Sequence, residues 1–223
     1  MGLPNRYIIH AVEKWGKTSL AAQFPKPIFI QTQGETGLEA LIDAGRLGPV
    51  PHFPECESWE DLVSALRAIT NDQHEYRTLV IDTINGAERM CHEYVCNRDF
   101  EGKWDDKGFA AYGKGPEVAL ADWILMLSEL DKIRSQRKMT VVCLCHTKVK
   151  NFRNPMGADY DRYQPDMNEK TWGRTHKWAD VILFGNFEMA TVAVRTNKKT
   201  GEQKGKAIGG QHRICLLYTS PSP

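Results

Sequence analysis

The chain of 223 residues contains no run of about 18 apolar residues, so no membrane-spanning helix is expected. Its opening "MGLPNRY" has neither the charged start nor the long apolar stretch of a signal peptide, and the expected location is the cytoplasm. It also lacks an excess of either charge. The 29 Lys and Arg face 28 Asp and Glu, for a net +1, which excludes a globally basic nucleic-acid binder and leaves only a local patch for that purpose. Internal repeats and low-complexity tracts are absent. Zinc spacing is absent too: Cys91, His92, Cys96, Cys143, Cys145 and His146 match no familiar pattern, and "VVCLCH" reads as a buried strand with small apolar cysteines. Six cysteines without a secretory context read as reduced thiols in a cytosolic compartment.

What is present is the balance of a folded domain, 41% apolar and 26% charged, with enough chain for one α/β unit and a core. Short apolar runs alternate with longer helical stretches, which predicts a mainly parallel central sheet flanked by helices on both faces. Strands are expected at 6–11, 27–32, 78–83, 139–146, 179–186 and 190–196, and helices at about 17–23, 58–71, 84–97 and 116–137. In the last helix Val118, Leu120, Ile124, Leu127, Leu130 and Ile133 fall near one stripe. Residues 98–115 and 147–178 fit neither period and are expected to be long loops.

The segment "AVEKWGKTSL" (11–20) follows the strand-like "YIIH" and opens a helix. A phosphate-binding loop needs that order: strand, glycine turn, Lys, Ser or Thr, helix. Backbone N–H groups then turn toward the phosphates, the lysine reaches the β/γ oxygens, and the hydroxyl holds Mg²⁺. Ala11, Val12, Glu13, Lys14, Trp15 and Gly16 would form the turn, with Lys17, Thr18 and Ser19 at the helix start. Ala11 stands where the pattern has its first glycine; at a positive φ it would add about 1 kcal/mol of strain without abolishing the cradle. Lys17 is expected to be exposed. "TLVIDT" ends in Asp82, a carboxylate in position to reach the same Mg²⁺, so Thr18 and Asp82 form the metal pair. "FIQTQGETG" offers Gln33 and Glu35 as the group that orients water, and spacing leaves the two open.

The order of this loop, "PKPIFIQT", "TLVIDTI", "YGKG", a strand ending in His146, "YDRYQ" and "WADVILFGN" resembles the phage RecA-like P-loop ATPases, a group of phage nucleotide-binding or AAA-type ATPases that includes single-strand annealing recombination proteins. The likeness spans about residues 6 to 213. It implies a RecA-like core, ATP with Mg²⁺, a single-stranded DNA partner and assembly into a ring or filament. It further implies that Lys17 acts on the phosphoryl group and that His146 senses the γ-phosphate, while the place of the family's catalytic glutamate falls on Gln33, with Glu35, two residues on, as its expected substitute. DNA contacts would come from 147–178, where Lys148, Lys150, Arg153 and Arg162 offer phosphate contacts and Trp172 a stacking surface. The basic stretch 195–206 reads as a hairpin turn with its flanks. Two other readings remain: a non-catalytic nucleotide-responsive module, motivated by Ala11 and Gln33, and a P-loop small-molecule kinase. The domain is expected to span 1–213, and the abrupt Ser/Pro ending, 214–223, reads as a non-native tail.

Overall fold

A computed structural model describes residues 2–196 and 203–219. Seven strands form one sheet: β1 (Arg6–Ala11), β2 (Pro27–Gln31), β3 (Thr78–Asp82), β4 (Thr140–Phe152), β5 (Tyr160–Pro165), β6 (Val181–Thr196) and β7 (Gln203–Thr219). Their order is β2-β3-β4-β1-β6-β7, with β5 pairing β4 off this path. The five strands from β2 to β6 run parallel; β7 joins β6 antiparallel, and β5 makes an antiparallel hairpin with the far end of β4. Among the described residues six helices accompany them: α1 (Lys17–Ala21), α2 (Gly37–Asp43), α3 (Trp59–Asn71), α4 (Ile84–Asp99), α5 (Lys114–Gln136) and α6 (Glu169–Trp178).

The expected α/β architecture is the one observed, and the period of two along each strand explains how it closes. Ile8, Ile30, Leu79, Ile81, Val141 and Cys143 point to the core under α3, α4 and α5. Ile9, Phe29, Val80, Val142 and Leu144 point to the smaller core that Ala21 of α1 and Leu38 of α2 cover. Both faces are therefore buried, as unbroken apolar strands require. Cys56, Cys91, Cys96, Cys143 and Cys145 are free and buried, in keeping with their reading as small core residues; no group of three or more His, Cys, Asp or Glu among the described residues could hold a metal. α3 begins with a capping box, in which Ser58 accepts from the Asp61 N–H and the Asp61 carboxylate accepts from the Ser58 N–H.

Several expectations are corrected. Residues 147–178 are not one loop: β4 runs on to Phe152, β5 returns to Pro165, and α6 follows. The lever that α6 needs is Asn168, whose side chain caps Lys170 N–H while its own N–H donates to buried Glu88 at 3.0 Å. The strands expected at 179–186 and 190–196 are a single strand, β6; of its three register shifts against β7, the one at Glu188/Met189 falls between the two expected strands. Residues 98–115 hold a short 3₁₀ turn at Ala111–Gly113 and the start of α5, and α2 is an additional short helix. Most of the turn expected within 195–206, at 197–202, lies outside the described residues. β7, paired with β6, runs from Gln203 to Thr219.

Candidate functional site

Parallel strands bring their carboxyl ends to one edge of the sheet: there Ala11 of β1 pairs with His146 of β4, and Gln31 of β2 with Asp82 of β3, which in turn pairs with Leu144, two residues before His146. Ala11 is fully buried and pairs with both His146 and Gly185. The positive φ angles of the following turn fall on Lys14 (58°) and Gly16 (100°), not on Ala11. The strain expected at Ala11 therefore does not arise, because an extended strand end suits alanine as well as glycine. Trp15, expected in the cradle, turns its side chain away from it. The indole is buried, donates from Nε1 to the Asn186 carbonyl at 3.1 Å, and meets the His212 ring edge-on at 6.0 Å. A Cβ built on Gly185 would lie 2.6 Å from that indole and 2.8 Å from the Ala11 Cβ, so Gly185 makes the close approach possible. The turn thus contributes backbone, while Glu13 and Lys14 point to solvent and Ser19 sits within α1.

Lys17 is only 8% exposed, which corrects the expectation of a solvated side chain. Its Nζ donates to the Ala11 carbonyl at 3.4 Å. Burial pushes its pKa down, opposed by the charges of Asp82 and Glu35. Thr18, one residue on, donates from Oγ1 to Asp82 Oδ2 at 2.8 Å. Asp82 is 3% exposed, and burial pushes its carboxyl up to about 6 despite the Thr18 hydrogen bond. The peptide bond from Asp82 to Thr83 is cis. A hydroxyl and a carboxylate side by side are hard oxygen donors, which fits Mg²⁺; that ion takes one or two protein oxygens and fills its other positions with phosphate and water.

Glu35 and Gln33 part company in space. Glu35 Oε1 accepts from Thr83 Oγ1 at 3.0 Å and lies 2.9 Å from His146 Nε2, while the Gln31 side chain holds the Glu35 carbonyl at 2.8 Å. Burial raises the Glu35 carboxyl, but the His146 and Thr83 hydrogen bonds outweigh it and the net pKa is lowered. Gln33 instead receives the Arg89 guanidinium, which bonds its carbonyl at 2.9 Å. Glu35 therefore joins Lys17, Thr18, Asp82 and His146, and Gln33 does not. Sequence reasoning passed over Thr83, Gln31 and Asn85; the last accepts from the His146 N–H at 3.0 Å. Their signal was position: each is a polar residue at or just beyond the end of an apolar strand.

A family model described as an AAA domain matches residues 3–222. The chain belongs to the AAA domain family. The crystal structure of the RadB recombinase is similar to this AAA domain with a TM-score of 0.50 at 13% identity, over 97% of this chain and 89% of that one. At that identity the likeness concerns the fold, which is RecA-like. No curated protein matches the chain.

The residues expected to meet DNA lie beyond this edge, on the β4–β5 hairpin and α6 of the AAA domain. Lys148 bonds the Met167 carbonyl and pairs with Asp166 at 3.0 Å, and Lys150 pairs with Glu169. Arg162 lies 4.2 Å over the Phe152 ring, and Arg153 is exposed. Trp172 is half-buried against the core under α6. Lys150, Arg153, Arg162 and Trp172 come together around one cavity of about 690 Å³; Lys148 does not line it.

Proposed function

We propose that this AAA domain binds ATP with Mg²⁺ and hydrolyses it, and that it serves recombination by annealing of single DNA strands, as a phage-encoded protein of the host cytoplasm would. The observation that carries the reading is the pairing of Thr18 with Asp82 at 2.8 Å beside the Glu35–His146 pair at 2.9 Å, on one edge of a parallel sheet. Mg²⁺ held by Thr18 and Asp82 would neutralise charge on the β- and γ-phosphates. Lys17, already stripped of most solvent, adds a positive charge there without reorganising. The first N–H groups of α1 have no partner within the helix and face the same space as the Gly16 turn. Glu35 is an ionised acceptor whose second oxygen can take a proton from attacking water. His146, bonded to Glu35 and continuous with the hairpin strand, reports on nucleotide state.

In this reading a single strand tracks the hairpin and α6, using Lys148, Lys150, Arg153 and Arg162 on phosphates and Trp172 on a base. Side-by-side assembly into a ring or filament accompanies it. Phosphate release measured with and without single-stranded DNA tests the whole. Release that rises with DNA and disappears in Lys17→Ala is the expected result. Tight ATP binding with no release under either condition would select the passive nucleotide-responsive module instead. Phosphate found on a nucleoside acceptor would select the kinase.

A further inference from the structure

His10 is the strongest anomaly outside the phosphate site. It is 2% exposed, Nδ1 lies 3.2 Å from Thr147 Oγ1, and Nε2 has no hydrogen-bond partner in the protein. A buried polar atom left unpaired costs about 1–3 kcal/mol, so it calls for an explanation. Burial and the charge of Lys17 hold the imidazole pKa down at about 4, so the ring is neutral and its Nε2 is left without a partner.

The His10 ring forms part of the wall of the 690 Å³ cavity between the β4–β5 hairpin, α6 and the β6–β7 edge. That size lies within the range of about 300–1,000 Å³ usual for small-molecule sites. The surrounding chemistry is consistent in kind. Phe184 stacks on His10 at 4.9 Å and meets Tyr163 at 5.4 Å, while Trp172 stands edge-on to His10 at 6.5 Å. Lys150 is paired with Glu169, which leaves Arg153 and Arg162 as wall cations with no carboxylate partner among the described residues. Flat apolar rings, one neutral hydrogen-bonding nitrogen and two guanidinium groups together ask for a planar polar ring that carries an anion.

We propose that this cavity is a nucleotide-recognition site separate from the phosphate turn, taking one nucleobase against His10 and Tyr163 and its phosphate against Arg153 and Arg162. Aromatic faces accept any base, guanidinium groups suit phosphate, and the imidazole nitrogen gives the base edge a polar contact. The nucleotide comes either from a strand or from the free pool. Only the first source rests on the strand-binding reading above.

The test uses the full chain with its phosphate site filled by a non-hydrolysable ATP analogue. Deoxyadenosine 5′-monophosphate is titrated against deoxyribose 5-phosphate, which lacks the base. The parent is expected to bind the nucleotide more tightly than the sugar phosphate. His10→Phe, which keeps the stacked ring but removes the nitrogens, and Tyr163→Ala, at a side chain 45% exposed, should each weaken nucleotide binding by about 5- to 100-fold. If His10→Phe fails to fold, Tyr163→Ala and Arg153→Ala decide. Equal binding of the two probes, or unchanged affinity in the folded variants, would overturn the proposal.

A second arm compares a single strand with an abasic strand of the same length. Tighter binding of the base-bearing strand, lost in Tyr163→Ala, identifies the strand as the source. Equal strand binding together with a positive mononucleotide arm identifies the free pool. Equal, salt-sensitive binding of both strands with no mononucleotide binding leaves strand binding standing and removes the pocket.

Discussion

Replacing Glu35 by Gln isolates one proton acceptor from everything else the side chain does. Glu35 Oε1 accepts from Thr83 at 3.0 Å and faces His146 at 2.9 Å, and the amide oxygen of Gln can occupy the same place. The fold should survive, since the substitution exchanges charge-assisted hydrogen bonds for neutral ones, a loss of about 1 kcal/mol each. Lys17 keeps its bond to the Ala11 carbonyl and Thr18 its bond to Asp82, so ATP affinity should stay nearly constant. What disappears is the ability to take a proton from water, for which general bases account for about 10²–10⁴-fold in rate. Because His146 and Thr83 hold the Glu35 pKa below the ordinary carboxylate value, the parent should show no loss of rate from Glu35 protonation above about pH 5. The assay is steady-state phosphate release beside equilibrium ATP binding. A fall in kcat with unchanged affinity marks an interaction made in the transition state. Unchanged release in folded Glu35→Gln, or an ATP affinity that falls as far as the rate, would refute the assignment.

Lys17→Ala should sharply weaken ATP binding yet leave urea stability equal or higher, because the ammonium is buried at a cost; equal ATP affinity would remove the phosphate-site assignment. Asp82→Asn carries a pH signature in the nucleotide-free protein. A folded pKa raised to about 6 means that the protonated form stabilises the fold below the unfolded value of about 4, and that this contribution is lost as pH rises through 6. The variant should therefore be more stable than the parent at pH 7.5, by on the order of 3 kcal/mol, with the gap closing toward pH 4 in urea titrations, while Mg²⁺-dependent ATP binding falls. Gly185→Ala should cost about 1–3 kcal/mol by overpacking and weaken ATP binding through the displaced Trp15, whereas Ala11→Gly should leave binding unchanged. Single-strand affinity should fall steeply with salt, and Arg153→Ala and Arg162→Ala should each lower that slope by about 1.

The central sheet was legible because its strands are buried on both faces, and unbroken apolar runs such as "YIIH" and "TLVID" have few other fates. The Gly-Lys-Thr turn between strand and helix was legible as local geometry. Where long-range contacts decided the outcome, sequence failed. β4 leaves the core after Cys145 and continues as "KVKNF", polar enough to read as loop because only β5 supplies its hydrogen bonds. α6 contains Gly173 and two threonines, Thr171 and Thr175, all of low helix propensity; it forms because Trp172, Trp178 and Thr175 have a surface to cover. The choice between Gln33 and Glu35 was equally non-local, since Arg89 of α4 claims the first and His146 of β4 the second.

The anchoring of Trp15 has a consequence for the order in which this molecule can become competent. The Gly-Lys-Thr turn is written in the first twenty residues, but the indole beneath it needs the Asn186 carbonyl and the His212 ring, which lie on β6 and β7. During synthesis the N-terminal segment leaves the ribosome long before those strands exist, so β1 and its turn must wait without their support. Contacts of such sequence separation form late and slowly. An incomplete chain ending before β6 would carry every residue of the phosphate motif and still lack the wedge that fixes its shape. Nucleotide binding is therefore expected to switch on only once β6 and β7 have been made and docked, which makes ATP affinity a readout of their pairing.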